Sequence, residues 1–329
     1  MSEPNKPLGS HFAGSAPQGS REHFASRLGF ILISAGCAIG LGNIWRFPYI
    51  TGQYGGAAFI LIYLLFLVIL GLPVMIMEFS VGRASQRTAA GAFKALAPTK
   101  HWNWFGWFSF LGCFILMMFY TVVCGWMLSY TAKMGLGTFN GLDAAATGEV
   151  FNSLLANPGE MVAWMFVAIV IGLLVCSLGL QKGVERVTKV MMVALLVLMA
   201  ALAVRSVTLP GAQAGIEFYL IPDFGRLLND AEGAFSITQL GDAVYAAMGQ
   251  AFFTLSLGIS SMEVFGSRIG KERSLTGEAV RICGLDTFVA LVAGLIIFPA
   301  CFAFNVDAGA GPGLVFVTLP NVLDRKSVV

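Results

Sequence analysis

Gly36-Cys37-Ala38-Ile39-Gly40-Leu41-Gly42-Asn43, running on into Ile44-Trp45-Arg46-Phe47-Pro48, decides how this chain is read. The stretch lies inside an apolar segment, 27–54, long enough to cross a bilayer core of about 30 Å, which takes about 20 apolar residues. Three glycines within seven residues are costly in a continuous helix, at about 1 kcal/mol each relative to alanine. Small-residue packing between helices would account for the glycines, but not for Asn43 and Arg46, whose polar groups lipid penalises. The combination predicts a helix interrupted at membrane depth, where unwound backbone is tolerated only against protein or a cavity.

A second stretch repeats the pattern: Gly249-Gln250-Ala251-Phe252-Phe253-Thr254-Leu255-Ser256-Leu257-Gly258. Gln250 and Thr254, four apart, share a helical face, and Ser256 with Gly258 marks the interruption. Carbonyls freed by such a break can bind a cation, and the N–H groups that open the following half-helix can bind an anion.

The rest of the chain supplies the membrane setting. Of 329 residues, 57% are hydrophobic and 12% charged, with a mean hydropathy of +0.78, against roughly 25% charged in soluble domains. Hydropathy gives seven segments: 27–54, 57–81, 105–132, 161–178, 188–207, 242–265 and 282–304. With a cytoplasmic N-terminus the inner side holds Lys6, Arg21, Arg27, Arg83, Arg87, Lys94, Lys100, Lys182, Arg186, Lys189, Arg268, Lys271, Arg273 and Arg281, 14 of the 20 Lys and Arg. The positive-inside rule therefore favours a multi-pass cell-membrane protein with its N-terminus inside. Glu217, Asp223, Asp230 and Glu232 suit an extracellular loop over 210–239, and 134–160 offers no N-x-[ST] acceptor.

Residues 1–20, rich in Gly, Ser and Pro, read as a disordered cytoplasmic tail with no signal-peptide pattern. The six cysteines lack the spacing of metal sites or disulfide frameworks and are expected as small buried hydrophobes. His11, His23 and His101 all fall outside the segments and no H-E-x-x-H occurs, which leaves an intramembrane hydrolase without its groups. No basic stretch suggests nucleic acid. The end, Asp324-Arg325-Lys326-Ser327-Val328-Val329, follows Leu319-Pro320-Asn321-Val322 abruptly and reads as translated adapter sequence, so the natural protein is expected to continue beyond it.

Arg21-Glu22-His23-Phe24, the stretch from Gly36 to Pro48, Tyr120 six residues before Trp126, and Gln250 to Gly258 together resemble the neurotransmitter:sodium symporters, in their bacterial amino-acid transporter branch, similar to its leucine-carrying members. The likeness runs from about residue 21 to 304, and discontinuous first and sixth helices are that family's documented feature. It implies an all-α integral membrane protein with an inverted-repeat fold and broken helices 1 and 6. A first repeat would occupy 21–209 and a partial second repeat 240–323, the chain stopping after about seven transmembrane helices with a non-native 324–329. Such a chain alone is expected to bind weakly or not at all. The function implied is sodium-coupled symport of an amino acid by alternating access; a non-transporting receptor or a channel on the same fold is the alternative.

Carried residue by residue, the resemblance implies one sodium site from the Ala38 carbonyl, the Asn43 side chain, Thr254, Asp286 and the substrate carboxylate. A second would use the carbonyls of Gly36 and Ile39 with side chains from an eighth helix. The substrate carboxylate would rest on the N–H groups of Leu41 and Gly42 and on the Tyr120 hydroxyl, a residue whose alternative reading is plain packing. Gly40 stands where monoamine carriers place Asp, which implies a substrate with its own carboxylate. Cys37, Leu116, Phe253, Ser256 and Ile259 would shape the side-chain pocket; Cys37 and Ile259 depart from the leucine-carrying members. Arg46 resembles the outer gate, Arg21 and Phe24 belong to the inner gate, and Glu78 would support the unwound part of segment six. Arg268 replaces the usual Tyr after Gly266-Ser267. Tyr63 and Gln250 match an anion site, while Asp286, unless it is a helix-packing acid paired elsewhere, supplies a built-in charge. Dependence on sodium ions but not chloride is therefore expected.

Overall fold

The computed structural model describes residues 27–229, 233–270, 272–306, 315–318 and 320. Segment one forms α1 (Arg27–Ala38), then, past a break, a π-helical turn (Gly42–Arg46) that continues into α2 (Phe47–Gln53). The two halves meet at 48°. Segment two is α3 (Ala57–Phe66), a π-turn (Leu67–Gly71) and α4 (Leu72–Ser85), followed by a short α5 (Ala89–Leu96). Segment three is α6 (Asn103–Gly135), segment four α8 (Pro158–Ser177), and segment five α9 (Arg186–Val207) entered through a π-turn (Leu180–Glu185). Between α6 and α8 lies α7 (Ala144–Leu155), started by the Asp143 side chain accepting from the Ala146 N–H. The outer loop carries α10 (Ala212–Leu220) and α11 (Phe224–Leu228). Segment six is α12 (Ile237–Thr254) and α13 (Ser261–Gly266), and segment seven is α14 (Leu275–Ala303).

Among the described residues five helices are long and apolar enough to span a membrane, six with the bent pair of segment one. Segment six is not among them; its helix carries Gln239, Asp242 and Gln250 and is cut at 255–260, where Ser256, Gly258 and Ser260 all take positive φ. Two of these are not glycine, a conformation that surrounding structure must hold in place. Segment seven starts seven residues earlier than hydropathy suggests, since Ser274 caps it by accepting from the Gly277 N–H and polar Glu278 occupies its first turn. Residues 1–26 and 321–329 are outside the described residues, and with them the tail, Arg21, Phe24 and the 324–329 end.

Lipid is as apolar as leucine, so helices in a bilayer associate through close packing and buried polar contacts rather than through water exclusion. The core gathers on α14, sixteen of whose residues are buried, while α8 buries none. The α4–α13 crossing is the closest approach: a Cβ on Gly82 would lie 1.9 Å from the Glu263 carbonyl oxygen, and one on Gly266 would lie 2.6 Å from the Phe79 backbone. That crossing fixes the half-helix after the break against α4. The cysteine expectation needs correction. Cys283 and Cys301 are buried, but Cys37, Cys124 and Cys176 are exposed and Cys113 is intermediate. Cys124 and Cys176 lie on membrane spans, where apolar side chains that face lipid need no burial in protein, while Cys37 lies at the break of segment one beside Ser256 and Ser261.

Candidate functional site

The two breaks lie side by side, and α14 passes behind them. Asn43, Gln250, Thr254 and Asp286 are all fully buried. The Asn43 amide donates to the Asp286 carboxylate at 2.8 Å and to its backbone carbonyl at 3.0 Å, while its own oxygen accepts from the Gly40 N–H at 3.2 Å. The Thr254 hydroxyl donates to the other Asp286 oxygen at 2.9 Å. One helix from each region thus contributes a polar group to a single buried point. The Asp286 carboxylate and the Thr254 hydroxyl are hard donors of the kind a hard cation takes, while the Asn43 oxygen faces the Gly40 N–H. Near them the Tyr63 hydroxyl is buried, within reach of Thr254 and Thr287 and within electrostatic range of Asp286.

Both ends of the Gln250 side chain are engaged: its amide donates to the Gly42 carbonyl at 3.0 Å, and its oxygen accepts from Arg46 at 2.9 Å. Arg46 also donates to the Gly249 carbonyl at 3.3 Å and lies 4.6 Å over the Phe253 ring. The expected outer-gate arginine is therefore tied to segment six and to the aromatic ring beneath it. Gly42 makes room for that ring, which stands 3.2 Å from where its Cβ would be. Leu41 and Gly42 open the second half of segment one, at the positive end of its dipole.

A cavity of about 430 Å³ opens between α6 and segment six, lined by Gly112, Ile115, Leu116, Phe119, Gly249, Phe252, Phe253, Ser256, Leu257 and Ile259. Of the five residues expected to shape the pocket, Leu116, Phe253, Ser256 and Ile259 line it; Cys37 does not, but its carbonyl accepts from the Ser256 hydroxyl at 3.2 Å. Tyr120 is half-buried within electrostatic range of Cys37 and Arg46. Gly40 faces open space, with nothing within 4 Å of its Cβ position. The sequence reading missed Gly112, Ile115 and Phe119. With Leu116 they fall at i, i+3, i+4 and i+7, one helical face, and that spacing was the available signal.

On the other side of the break, Glu78 of α4 accepts from the Gly258 N–H at 2.7 Å, holding the unwound stretch; its second oxygen is buried without a partner. Gly36 of α1 faces Thr188 and Met192 of α9, and Ala38 and Ile39 are buried where α1 ends. Arg268 follows α13, its N–H donating to the Phe265 carbonyl at 2.9 Å.

The profile of the Sodium:neurotransmitter symporter family matches residues 21–138 and 147–328. An uncharacterized sodium-dependent transporter, YhdH, of Bacillus subtilis is 41% identical over 302 residues, covering 92% of this chain and 64% of that protein. The human sodium- and chloride-dependent GABA transporter 2 is 26% identical over 348 residues, covering 92% of this chain and 56% of that protein. The crystal structure of MhsT in complex with L-phenylalanine superposes with a TM-score of 0.83 at 42% identity, covering 92% of this chain and 66% of that one. The chain thus spans about two thirds of the bacterial relatives it matches.

Proposed function

Because the chain belongs to the sodium:neurotransmitter symporter family, a family of multi-pass membrane transporters, we propose that the full-length protein carries an amino acid across the cell membrane together with sodium. The observation that supports this most is the convergence of Asn43, Thr254 and Asp286 on one buried point at the paired breaks. In this reading sodium sits among those groups and the Ala38 carbonyl, and the substrate carboxylate reaches toward it from the N–H groups of Leu41 and Gly42. The substrate side chain enters the cavity beside Leu116 and Phe253. Its largely apolar lining, and the phenylalanine bound to MhsT, favour a large apolar amino acid over a small polar one.

Alternating access would follow from the two hinges. The bundle containing α1 and α13 can pivot where backbone hydrogen bonding is already interrupted, so motion there breaks few bonds. Energetically, each sodium ion gains roughly 2.3 kcal/mol from 100 mV and about 1.4 kcal/mol from a tenfold gradient. Two ions would supply about 7 kcal/mol, enough for a ~10⁵-fold gradient of a zwitterion at the limit. The N-terminus is cytoplasmic in this arrangement.

The test is equilibrium binding of a panel of L-amino acids to the purified full-length protein in sodium and in potassium at equal ionic strength. Binding of at least one apolar amino acid that requires sodium supports the reading. Equal binding in both salts removes the sodium coupling.

A further inference from the structure

The turn between segments two and three is joined to two membrane spans, so it sits at a membrane surface by topology. Its chemistry is one-sided. From residue 79 to residue 142 the chain has no Asp or Glu, while Arg87, Lys94 and Lys100 follow the end of α4. All three are exposed, and none forms an ion pair among the described residues. Arg83, by contrast, is occupied with the Arg273 carbonyl at 2.8 Å. Directly beyond them, Trp102, Trp104 and Trp107 are 54%, 58% and 60% exposed at the entry to α6. Indole rings at the end of a span settle at headgroup depth, where their apolar body and N–H are both accommodated.

Of the three cations, Lys94 lies on a helix that is held, with Arg87 just before that helix and Lys100 just after it. Helix α5, which carries Lys94, is locked on α6: a Cβ on Gly106 would lie 2.5 Å from the Ala89 carbonyl oxygen and 3.0 Å from the Ala90 Cα. Phe93 meets Phe105 edge-on at 5.2 Å. Exposed, unpaired cations next to exposed indoles match a phosphate above an acyl chain.

We propose that α5 and the entry to α6 form a binding surface for an anionic phospholipid, its headgroup phosphate held by Arg87, Lys94 and Lys100 and its upper acyl chain lying against Trp102, Trp104 and Trp107. A general positive-inside charge would need neither the rigid seating of α5 nor the adjacent indoles. The surface is separate from the transport site, so its test reads lipid and not uptake.

The full-length protein is reconstituted in vesicles containing brominated phosphatidylglycerol or, in parallel, brominated phosphatidylcholine, and tryptophan quenching gives the relative affinity for each lipid. The expected preference for the anionic lipid is at least about tenfold at low salt, since each cation near an anionic surface contributes about a factor of five, and it falls as salt rises. R87Q/K94Q/K100Q should abolish the preference, and W102L/W104L/W107L should remove the difference in quenching. If the triple Gln variant does not fold, the salt series on the wild type decides. Equal quenching by the two lipids, a preference unchanged by either triple variant or by salt, or its loss to inorganic phosphate at fixed ionic strength would each overturn the proposal.

Discussion

Gly40→Asp should abolish amino-acid transport by the full-length protein, and the structure separates the reason from simple disruption. Nothing lies within 4 Å of the Cβ position at Gly40 and its backbone is not in the left-handed region, so a side chain fits. Its N–H is already used by the Asn43 oxygen at 3.2 Å, a bond the substitution leaves in place. The added carboxylate would then stand about one side-chain length from the substrate's own carboxylate. At about 5 Å and an effective dielectric of about 20, two like charges repel by about 3 kcal/mol, which is roughly a two-hundredfold loss of affinity. Gly40→Ala fills the same space without charge and should stay within about threefold of wild type. The assay is sodium-dependent binding and initial-rate uptake of the amino acids the wild type accepts. Unchanged uptake of all of them by the Asp variant would refute the placement of the substrate carboxylate. An equal loss in the Ala variant would show that helix geometry, not charge, is at stake.

Phe253→Ala removes the ring that Arg46 covers at 4.6 Å and that lines the cavity; substrate binding should weaken by about 1–3 kcal/mol, measured by equilibrium dialysis, and no loss would make Phe253 a packing residue only. Uptake should persist when chloride is replaced by gluconate at fixed sodium, since the buried Asp286 carboxylate can balance the cation where the human GABA transporter 2 is described as chloride-dependent. Asp286→Ser should introduce partial chloride dependence, and a wild-type rate that collapses in gluconate would show that Asp286 has no such part.

The membrane spans and both interruptions were legible because they rest on local signals: apolar length, glycine density, and Ser and Gly where φ turns positive. Helices α5, α7, α10 and α11 were not, since each is short and its apolar side is set by what it packs on; α5 exists where Gly106 lets α6 come close. The start of α14 was missed for a related reason, as hydropathy cannot see a polar first turn that Ser274 caps. In the site, the grouping of Asn43, Thr254 and Asp286 came from the family pattern, and the structure has them in hydrogen-bond contact. What the pattern did not carry was the hydrogen bond from Arg46 to the Gln250 oxygen. That contact joins residues 204 positions apart and depends on the two breaks lying together. Nor did the cysteine reading allow for lipid as a neighbour.

The most direct measurement is uptake of a radiolabelled apolar amino acid into proteoliposomes holding the full-length protein, with an inward sodium gradient, with sodium equal on both sides, and with sodium replaced by potassium. Concentrative uptake is expected only in the first case, dissipated when an ionophore collapses the gradient. Accumulation that is indifferent to sodium, or sodium-dependent binding with no accumulation under any gradient, would contradict a symporter.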